Sequence, residues 1–296
     1  MTAAFAELGD ITLCYETFGD DADPTMLLIM GLGAQMIAWD TELCEMLAAR
    51  GFRVVRYDNR DTGLSTFLPE PVEVFEVIRQ MGNGEPPSVP YLIPDMAVDA
   101  IGLLDHLGVA QAHVVGASLG GMIAQAVAIA HPERVASLTS VMSTTGDPEV
   151  GMPSAEAIQA LLEPPPANAE QLGERRVRCA HIWGSKGLFD EDGLRREARE
   201  HWERQSDPNG VTRQFAAILA SGSRSDDLRR LDLPTLVVHG TIDNLVAPSG
   251  GERTAEVVPD AKLLMIEGMG HDLPQPLWDQ FVDAVVAHAN QHPPRA

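Results

Sequence analysis

The chain is 296 residues long with 45% hydrophobic residues, enough for one large α/β domain with an insertion or for two smaller domains. Asp and Glu outnumber Lys and Arg by 43 to 21, and the resulting net charge of −22 argues against nucleic acid and anionic membranes as partners. Cys14, Cys44 and Cys179 are far apart and form no C-x-x-C pair, which argues against a disulfide framework or a metal site and favours a reducing, cytoplasmic compartment. No signal peptide and no apolar run of bilayer-spanning length is visible.

The first part of the chain predicts strands that alternate with helices. Residues 11–18 alternate weakly and predict an edge strand, whereas residues 26–30 form a continuous apolar run typical of a strand buried on both faces. Helical spacing over residues 38–50 precedes a further strand at residues 53–57. Residues 69–90 contain five prolines, and we expect an irregular segment there.

The alternation continues beyond this segment and is interrupted once. The later elements are a helix at 93–107, strands at 113–115, 134–142, 234–240 and 262–266, and a closing helix at 281–288. Such alternation predicts a mostly parallel, doubly wound sheet. Between 144 and 230 only amphipathic helical patterns occur, so we predict a core domain over 1–143 and 231–296 and a helical cap over 144–230. Apolar residues of the cap, including Leu162 and Leu188, are expected to pack on the core.

Ser118 lies in the sequence Gly116-Ala117-Ser118-Leu119-Gly120, between a predicted strand and a predicted helix. This is the context of a nucleophile elbow, a strained turn that presents a serine hydroxyl above the sheet and needs small residues two positions on either side. A G-x-S-x-G pattern arises by chance in about one chain of this length in ten. Its interpretation therefore depends on the rest of the chain.

A serine nucleophile needs a base and an acid that orients the base, and both are expected beyond the C-terminal ends of the strands. Asp243 follows the strand that ends at residue 240, and His271 follows the strand that ends at residue 266. The order Ser118, Asp243, His271 is that of a serine–acid–histidine hydrolase triad. Asp147, which follows the strand that ends near residue 142, is a less favoured alternative acid.

Other polar residues near these strand ends are expected to be structural. We predict that Asp272 caps the helix that follows it and that His239 caps or packs. In the loop over residues 58–65, Arg60 is expected to form an ion pair that shapes the loop.

Two backbone N–H groups are needed to hold the oxyanion of a tetrahedral intermediate. We expect one from Leu119 and the other from Leu32 in the loop Gly31-Leu32-Gly33. Three cap aromatics are candidates for a substrate pocket, with plain packing an equal alternative: Trp183, Phe189 and Trp202.

With these residues in place, the chain resembles the α/β-hydrolase superfamily over nearly its whole length. More closely, it is similar to the cofactor-independent esterases that include the anthracycline (aclacinomycin) methylesterases. The matching stretches are residues 28–31, 56–65, 113–120 and 268–271. The resemblance implies an α/β-hydrolase fold with a helical cap, ester hydrolysis and no cofactor. Those methylesterases carry a further glycine at the position of Leu32.

The leading interpretation is a serine carboxylic-ester hydrolase that acts on neutral, short- to medium-chain apolar esters. The same triad would also serve a cofactor-free perhydrolase or haloperoxidase, a C–C hydrolase or an aminopeptidase. A non-catalytic, receptor-like binder is disfavoured by the complete triad. The expected partner is a small-molecule ester, and homodimer formation is left open.

Overall fold

The computed structural model describes residues 3–204 and 207–295 of the chain. Its strands are β1 (Ala4–Leu8), β2 (Ile11–Phe18), β3 (Thr25–Ile29), β4 (Arg53–Tyr57), β5 (Ala112–Ala117), β6 (Val135–Val141), β7 (Thr235–Gly240) and β8 (Lys262–Ile266). In the part of the chain described, these eight strands form one sheet in the order β1-β2-β4-β3-β5-β6-β7-β8. The strands from β4 to β8 in that order run parallel, and β2 pairs antiparallel with both of its neighbours, β1 and β4. The predicted mostly parallel sheet is confirmed.

Helices connect the strands on both faces of the sheet. They are α1 (Thr41–Ala48), α2 (Val74–Gly82), α3 (Ile93–His106), α4 (Leu119–Ala130), α5 (Ala155–Leu161), α6 (Ala169–Trp183), α7 (Glu191–Arg204), α8 (Pro208–Ser221), α9 (Ser225–Leu228), α10 (Ser249–Val257) and α11 (Trp278–Asn290). No helix among the described residues is long and apolar enough to cross a bilayer.

The core lies in two layers, one on each face of the sheet. Strands β3, β5, β6 and β7 are buried at every position, as expected for central parallel strands. One apolar cluster joins the sheet to α3 and α4, and the other joins it to α1 and α11. Helices on both faces make the sheet doubly wound, and they leave the C-terminal strand ends open for a site.

Two predictions about the first ninety residues are wrong. The strand Ile11–Phe18 is not at the edge, because β1 pairs with its outer side through a tight turn in which Gly9 has a φ of 81°. Residues 69–90 are not wholly irregular, because they contain α2. The prolines of this segment flank the helix at Pro69, Pro71, Pro86, Pro87 and Pro90 without entering it, so they do not remove any of its internal hydrogen bonds.

Residues 144–230, which we call the cap segment, hold helices α5 to α9 and contain no strand in their described part. The expected apolar attachment to the core is wrong for two residues, since Leu162 is 48% exposed and Leu188 is 36% exposed. The cap segment is attached to the core by other apolar residues, including Ala217 and Leu228, and also by buried ion pairs. Arg213 of α8 binds Asp61 at 2.7 Å and Arg204 of α7 binds Asp58 at 3.0 Å.

Candidate active site

Ser118 lies at the turn between β5 and α4 with a φ of 56° and a ψ of −120°. Non-glycine residues rarely adopt a positive φ, and at functional sites the surrounding packing enforces it. A Cβ atom on Gly116 would overlap the carbonyl oxygen of Gly120, and one on Gly120 would overlap the carbonyl oxygen of Ile29. The strand and helix therefore approach as closely as the elbow interpretation requires.

The Ser118 backbone is fixed by its neighbours, whereas its hydroxyl is not. Its N–H donates to the carbonyl of Val141 at 2.9 Å, and its carbonyl accepts from the Ser143 hydroxyl at 2.7 Å. A Cβ atom on Gly31 would lie 3.4 Å from Ser118 Oγ, so the hydroxyl faces the loop after β3. No hydrogen bond of this hydroxyl is among the contacts of the described residues. It is therefore available to a proton acceptor.

Asp243 follows β7, and both of its carboxylate oxygens accept hydrogen bonds. Its Oδ1 accepts from the N–H groups of Leu245 and Val246, both at 2.9 Å, and its Oδ2 accepts from His271 Nδ1 at 2.7 Å. Burial by itself raises the pKa of the Asp243 carboxyl, but the charge of His271 and the hydrogen bonds from His239 and His271 outweigh burial and hold this pKa below its usual range. Asp243 is therefore a carboxylate at neutral pH.

His239 is a neighbour of Asp243 that the sequence did not reveal. It packs in the core, as predicted, and its Nε2 donates to the carbonyl of Val246 at 2.8 Å. The same Nε2 lies 3.4 Å from Asp243 Oδ2. Its place at the end of β7, four residues before Asp243, is the signal that was available for this contact.

The Nδ1 atom of His271 is hydrogen-bonded to the Asp243 carboxylate. A carboxylate only accepts hydrogen bonds, so neutral His271 carries its proton on Nδ1 and leaves a lone pair on Nε2. The structure thus brings Asp243 and His271 into contact. It shows no hydrogen bond between Nε2 and Ser118 Oγ among the described contacts, and catalytic hydrogen bonds of this kind often shorten only when substrate binds.

Asp147, the alternative acid, has other partners. It accepts hydrogen bonds from the hydroxyls of Ser223 and Ser225, the latter at 2.7 Å, and forms an ion pair with Arg253 at 3.0 Å. The structure does not bring it to His271.

The prediction that Asp272 caps the following helix is wrong. Both of its carboxylate oxygens accept from the backbone N–H of Ser185 at 3.0 Å, and one also accepts from the Ser185 hydroxyl. The residue that starts the next helical turn, Gln275, has Pro274 before it with no side-chain cap. Asp272 therefore faces the cap segment instead of its own helix.

Of the two predicted oxyanion donors, Leu119 directly follows Ser118, and Leu32 follows Gly31, which lies against the Ser118 side chain. Leu119 begins α4, where backbone N–H groups have no acceptor inside the helix, and Leu32 lies in the loop after β3. No hydrogen bond from either N–H is among the described contacts. The neighbouring Gly33 N–H is already occupied, because it donates to Gln214 Oε1 of α8 at 2.8 Å. The positive end of the α4 dipole would favour an oxyanion here.

The three cap aromatics have different surroundings. Trp183 ends α6 and is half-buried, and its carbonyl accepts from the His271 N–H at 2.6 Å. Phe189 packs edge-on against His181, with 5.0 Å between ring centroids. Trp202 is half-buried on α7. Their place in a substrate pocket remains a prediction.

Arg60 forms the predicted structural ion pair. Its guanidinium binds the Asp99 carboxylate of α3 with distances of 2.6 and 2.7 Å. In the same loop, Asp58 Oδ2 accepts from the Leu64 N–H at 3.0 Å. Within residues 3–204 and 207–295, no group of three His, Cys, Asp or Glu side chains is arranged to hold a metal ion.

This combination of a parallel sheet, an elbow serine and a paired histidine and aspartate defines a class of proteins. Residues 24–274 match the family described as the alpha/beta hydrolase fold, and the chain belongs to that family. The fold and enzyme class predicted from the sequence are confirmed.

Two curated relatives are similar to this chain over nearly its whole length. Rhodomycin D methylesterase DauP of Streptomyces sp. (strain C5) is 32% identical over 94% of this chain and 95% of its own length. Rhodomycin D methylesterase DnrP of Streptomyces peucetius is 31% identical over the same shares. The resemblance to anthracycline methylesterases is thereby confirmed. Among solved structures, the 2-hydroxy-6-oxo-6-phenylhexa-2,4-dienoate hydrolase from Rhodococcus sp. strain RHA1 has a TM-score of 0.76 at 19% identity, covering 97% of this chain and 98% of that one, a likeness of fold.

Proposed function

We propose that this chain is a serine carboxylic-ester hydrolase that works through an acyl-enzyme. The observation that carries the proposal is the 2.7 Å contact between His271 Nδ1 and Asp243 at the same sheet edge as the strained Ser118 elbow. The methylesterase names of two relatives support an ester as substrate.

In the proposed reaction, Ser118 Oγ attacks the ester carbonyl carbon while His271 Nε2 takes the hydroxyl proton. The carbonyl electron pair moves to oxygen, which accepts hydrogen bonds from the N–H groups of Leu32 and Leu119. When the tetrahedral intermediate collapses, the C–O bond to the alcohol breaks and His271 returns the proton to the leaving alkoxide. Water, deprotonated by the same histidine, then releases the acid and restores Ser118.

Asp243 has an electrostatic part in this reaction. Its carboxylate holds the Nδ1–H tautomer of His271 and stabilises the imidazolium that forms during attack. Because the N–H groups of Leu245 and Val246 and the Nδ1–H of His271 all donate to it, Asp243 stays ionised without taking a proton itself. No cofactor is needed for any of these steps.

For the substrate, we propose neutral esters with short to medium apolar chains. The net charge of −22 disfavours the approach of anionic esters. The cap segment leaves β6 and returns to β7 beside the site, and we propose that it acts as a lid, with Trp183, Phe189 and Trp202 lining the pocket.

A p-nitrophenyl ester series from acetate to octanoate tests the proposal. We expect turnover by the wild-type protein and a loss of about 10³-fold or more in Ser118→Ala, because triad members act as a unit. A neutral butyrate ester should react faster than a succinate half-ester of the same length. An equal rate in Ser118→Ala would overturn the proposal, and faster reaction of the anionic ester would overturn its substrate part.

A further inference from the structure

The loop that carries His271 is bound to the end of helix α6 by a set of hydrogen bonds that the proposed mechanism does not use. The His271 N–H donates to the Trp183 carbonyl at 2.6 Å, and the Gly270 N–H donates to the Ser185 hydroxyl at 2.9 Å. The Ser185 hydroxyl in turn donates to Asp272. Three consecutive residues of the histidine loop are thus held by Trp183 and Ser185.

Ser185 is at the centre of this set. Its side chain is 0% exposed, and its single hydroxyl acts once as donor and once as acceptor. Its backbone N–H also lies 3.0 Å from both carboxylate oxygens of Asp272. Buried polar groups with all their hydrogen bonds made hold one arrangement, whereas removing one partner leaves the other unsatisfied.

The backbones of the histidine loop and of the residues after helix α6 are in close contact. A Cβ atom on Gly270 would overlap the Trp183 carbonyl oxygen and lie within the Gly184 backbone. A Cβ atom on Gly184 would lie 2.9 Å from an Asp272 carboxylate oxygen. The backbone of His271 is therefore set by contact with the cap segment.

We propose that Ser185 is a positioning residue for His271, acting through Gly270 and Asp272, so that the cap segment helps to build the catalytic base. This inference rests on the proposed ester hydrolysis. Asp243 fixes the tilt of the imidazole at Nδ1, whereas Ser185 fixes the backbone from which the ring extends toward Ser118. Misplacing a catalytic group by about 1 Å is sufficient to lower the rate about 100-fold.

The chain offers a closely matched control in Ser225. Both are buried serines of the cap segment whose hydroxyl donates to an aspartate, and Ser225 donates to Asp147 at 2.7 Å. Asp147 binds Ser223 and Arg253 and does not contact the histidine loop. Removing either hydroxyl costs a buried hydrogen bond to an aspartate, but only removal of the Ser185 hydroxyl also leaves the Gly270 N–H of the histidine loop without its acceptor.

The test compares Ser185→Ala with Ser225→Ala on p-nitrophenyl butyrate. We expect at least a tenfold lower kcat in Ser185→Ala with KM changed less than twofold, and a kcat within twofold of wild type in Ser225→Ala. Thermal midpoints measured on both variants show whether stability accounts for the difference. A wild-type kcat in Ser185→Ala, or an equal loss in both variants, overturns the inference.

A second variant separates positioning from mere loss of structure. The charged groups that interact with His271 in the described residues are Asp243 and Asp272, and burial raises the pKa of the Asp272 carboxyl. Asp272→Asn removes a negative charge beside His271, so protonation of the imidazole becomes less favourable and the acidic limb of kcat/KM should move to lower pH. Asp147→Asn should leave that limb in place. An unmoved limb in Asp272→Asn together with full kcat counts against the inference.

The failure of the inference is distinguishable from that of the proposed function. A fluorophosphonate that labels Ser118 in the wild-type protein, together with ester turnover, establishes the proposed function independently of Ser185. If the wild-type protein shows neither, the proposed function fails and the inference falls with it. If both are present and Ser185→Ala is labelled as fast as wild type, only the inference fails.

Discussion

At the scale of single residues, the strained backbone of Ser118 and the ionised state of Asp243 are both enforced by the groups that surround them. A residue in a sparsely populated backbone region costs about 1–3 kcal/mol and persists only when its surroundings enforce it. Around Ser118 this enforcement comes from Gly116 and Gly120, where no side chain fits. Around Asp243, two backbone N–H groups and two neighbouring histidines stabilise the ionised carboxylate.

The identity of the acid is a prediction at this scale. Asp243→Asn should lower kcat by about 10⁴-fold, because the amide would hold His271 in the wrong tautomer. Asp147→Asn removes a carboxylate that binds Ser223, Ser225 and Arg253, and it should leave kcat within a fewfold of wild type while lowering stability. Steady-state kinetics on both variants decide the matter. A nearly inactive Asp147→Asn beside an active Asp243→Asn would reverse the assignment.

At the scale of elements, the sequence predicted the sheet well because its central strands are buried on both faces. Apolar runs such as residues 26–30 and 236–238 are a strong signal for buried strands, and the candidate catalytic residues could be located from the ends of those strands. The short strand Ala4–Leu8 and the helix Val74–Gly82 carry weak signals, since the first is an edge strand of five residues and the second is bordered by prolines.

The attachment of the cap segment could not be read from the sequence. It depends on pairs distant along the chain, such as Arg213 with Asp61 and Ser185 with Asp272, and hydrophobic periodicity says nothing about such pairs. For the same reason the prediction that Asp272 caps the helix following it is wrong. Local patterns predicted the capping of a nearby helix, and the observed partner lies 87 residues away.

Arg213 offers a prediction about this attachment. Its guanidinium is 2% exposed and binds both oxygens of Asp61, which is 0% exposed and also accepts from the Tyr91 hydroxyl at 2.7 Å. Arg213→Met should destabilise the protein by about 3–5 kcal/mol, because it leaves a buried charge without its cation. Urea denaturation measures this change.

The control for this prediction is Arg195→Met on the surface of the cap segment. Arg195 pairs with the exposed Glu174 at 2.8 Å, and exposed pairs contribute about 0–1 kcal/mol. Equal urea midpoints for the two variants would show that the buried pair is not what anchors α8 to the core.

At the scale of the whole molecule, buried histidines make stability depend on pH. Burial, together with the charges of neighbouring histidines, lowers the pKa of His113 and of His288 to about 4. In the unfolded chain histidine titrates near 6.5. Between pH about 6.5 and 4 the unfolded state therefore binds more protons than the folded state.

We expect these two histidines to leave the free energy of unfolding undiminished above pH about 6.5 and to lower it as the pH falls toward 4. The double variant His113→Gln and His288→Gln should weaken this dependence without abolishing it, because burial also lowers the pKa of His201, to about 2. His106→Gln at an exposed position should leave the dependence unchanged. Urea midpoints measured at pH 7, 5.5 and 4.5 provide the comparison. A pH dependence that is the same in the double variant and in wild type would assign it to other groups.

The central claim is that Ser118 is a nucleophile activated by His271 and Asp243. Its most direct test is mass spectrometry of the protein after reaction with a fluorophosphonate, with the modified peptide sequenced. We expect one adduct per chain, located on Ser118, absent in Ser118→Ala and formed at least 100-fold more slowly in His271→Ala. An adduct on another residue, or labelling of Ser118 at the same rate without His271, would contradict it.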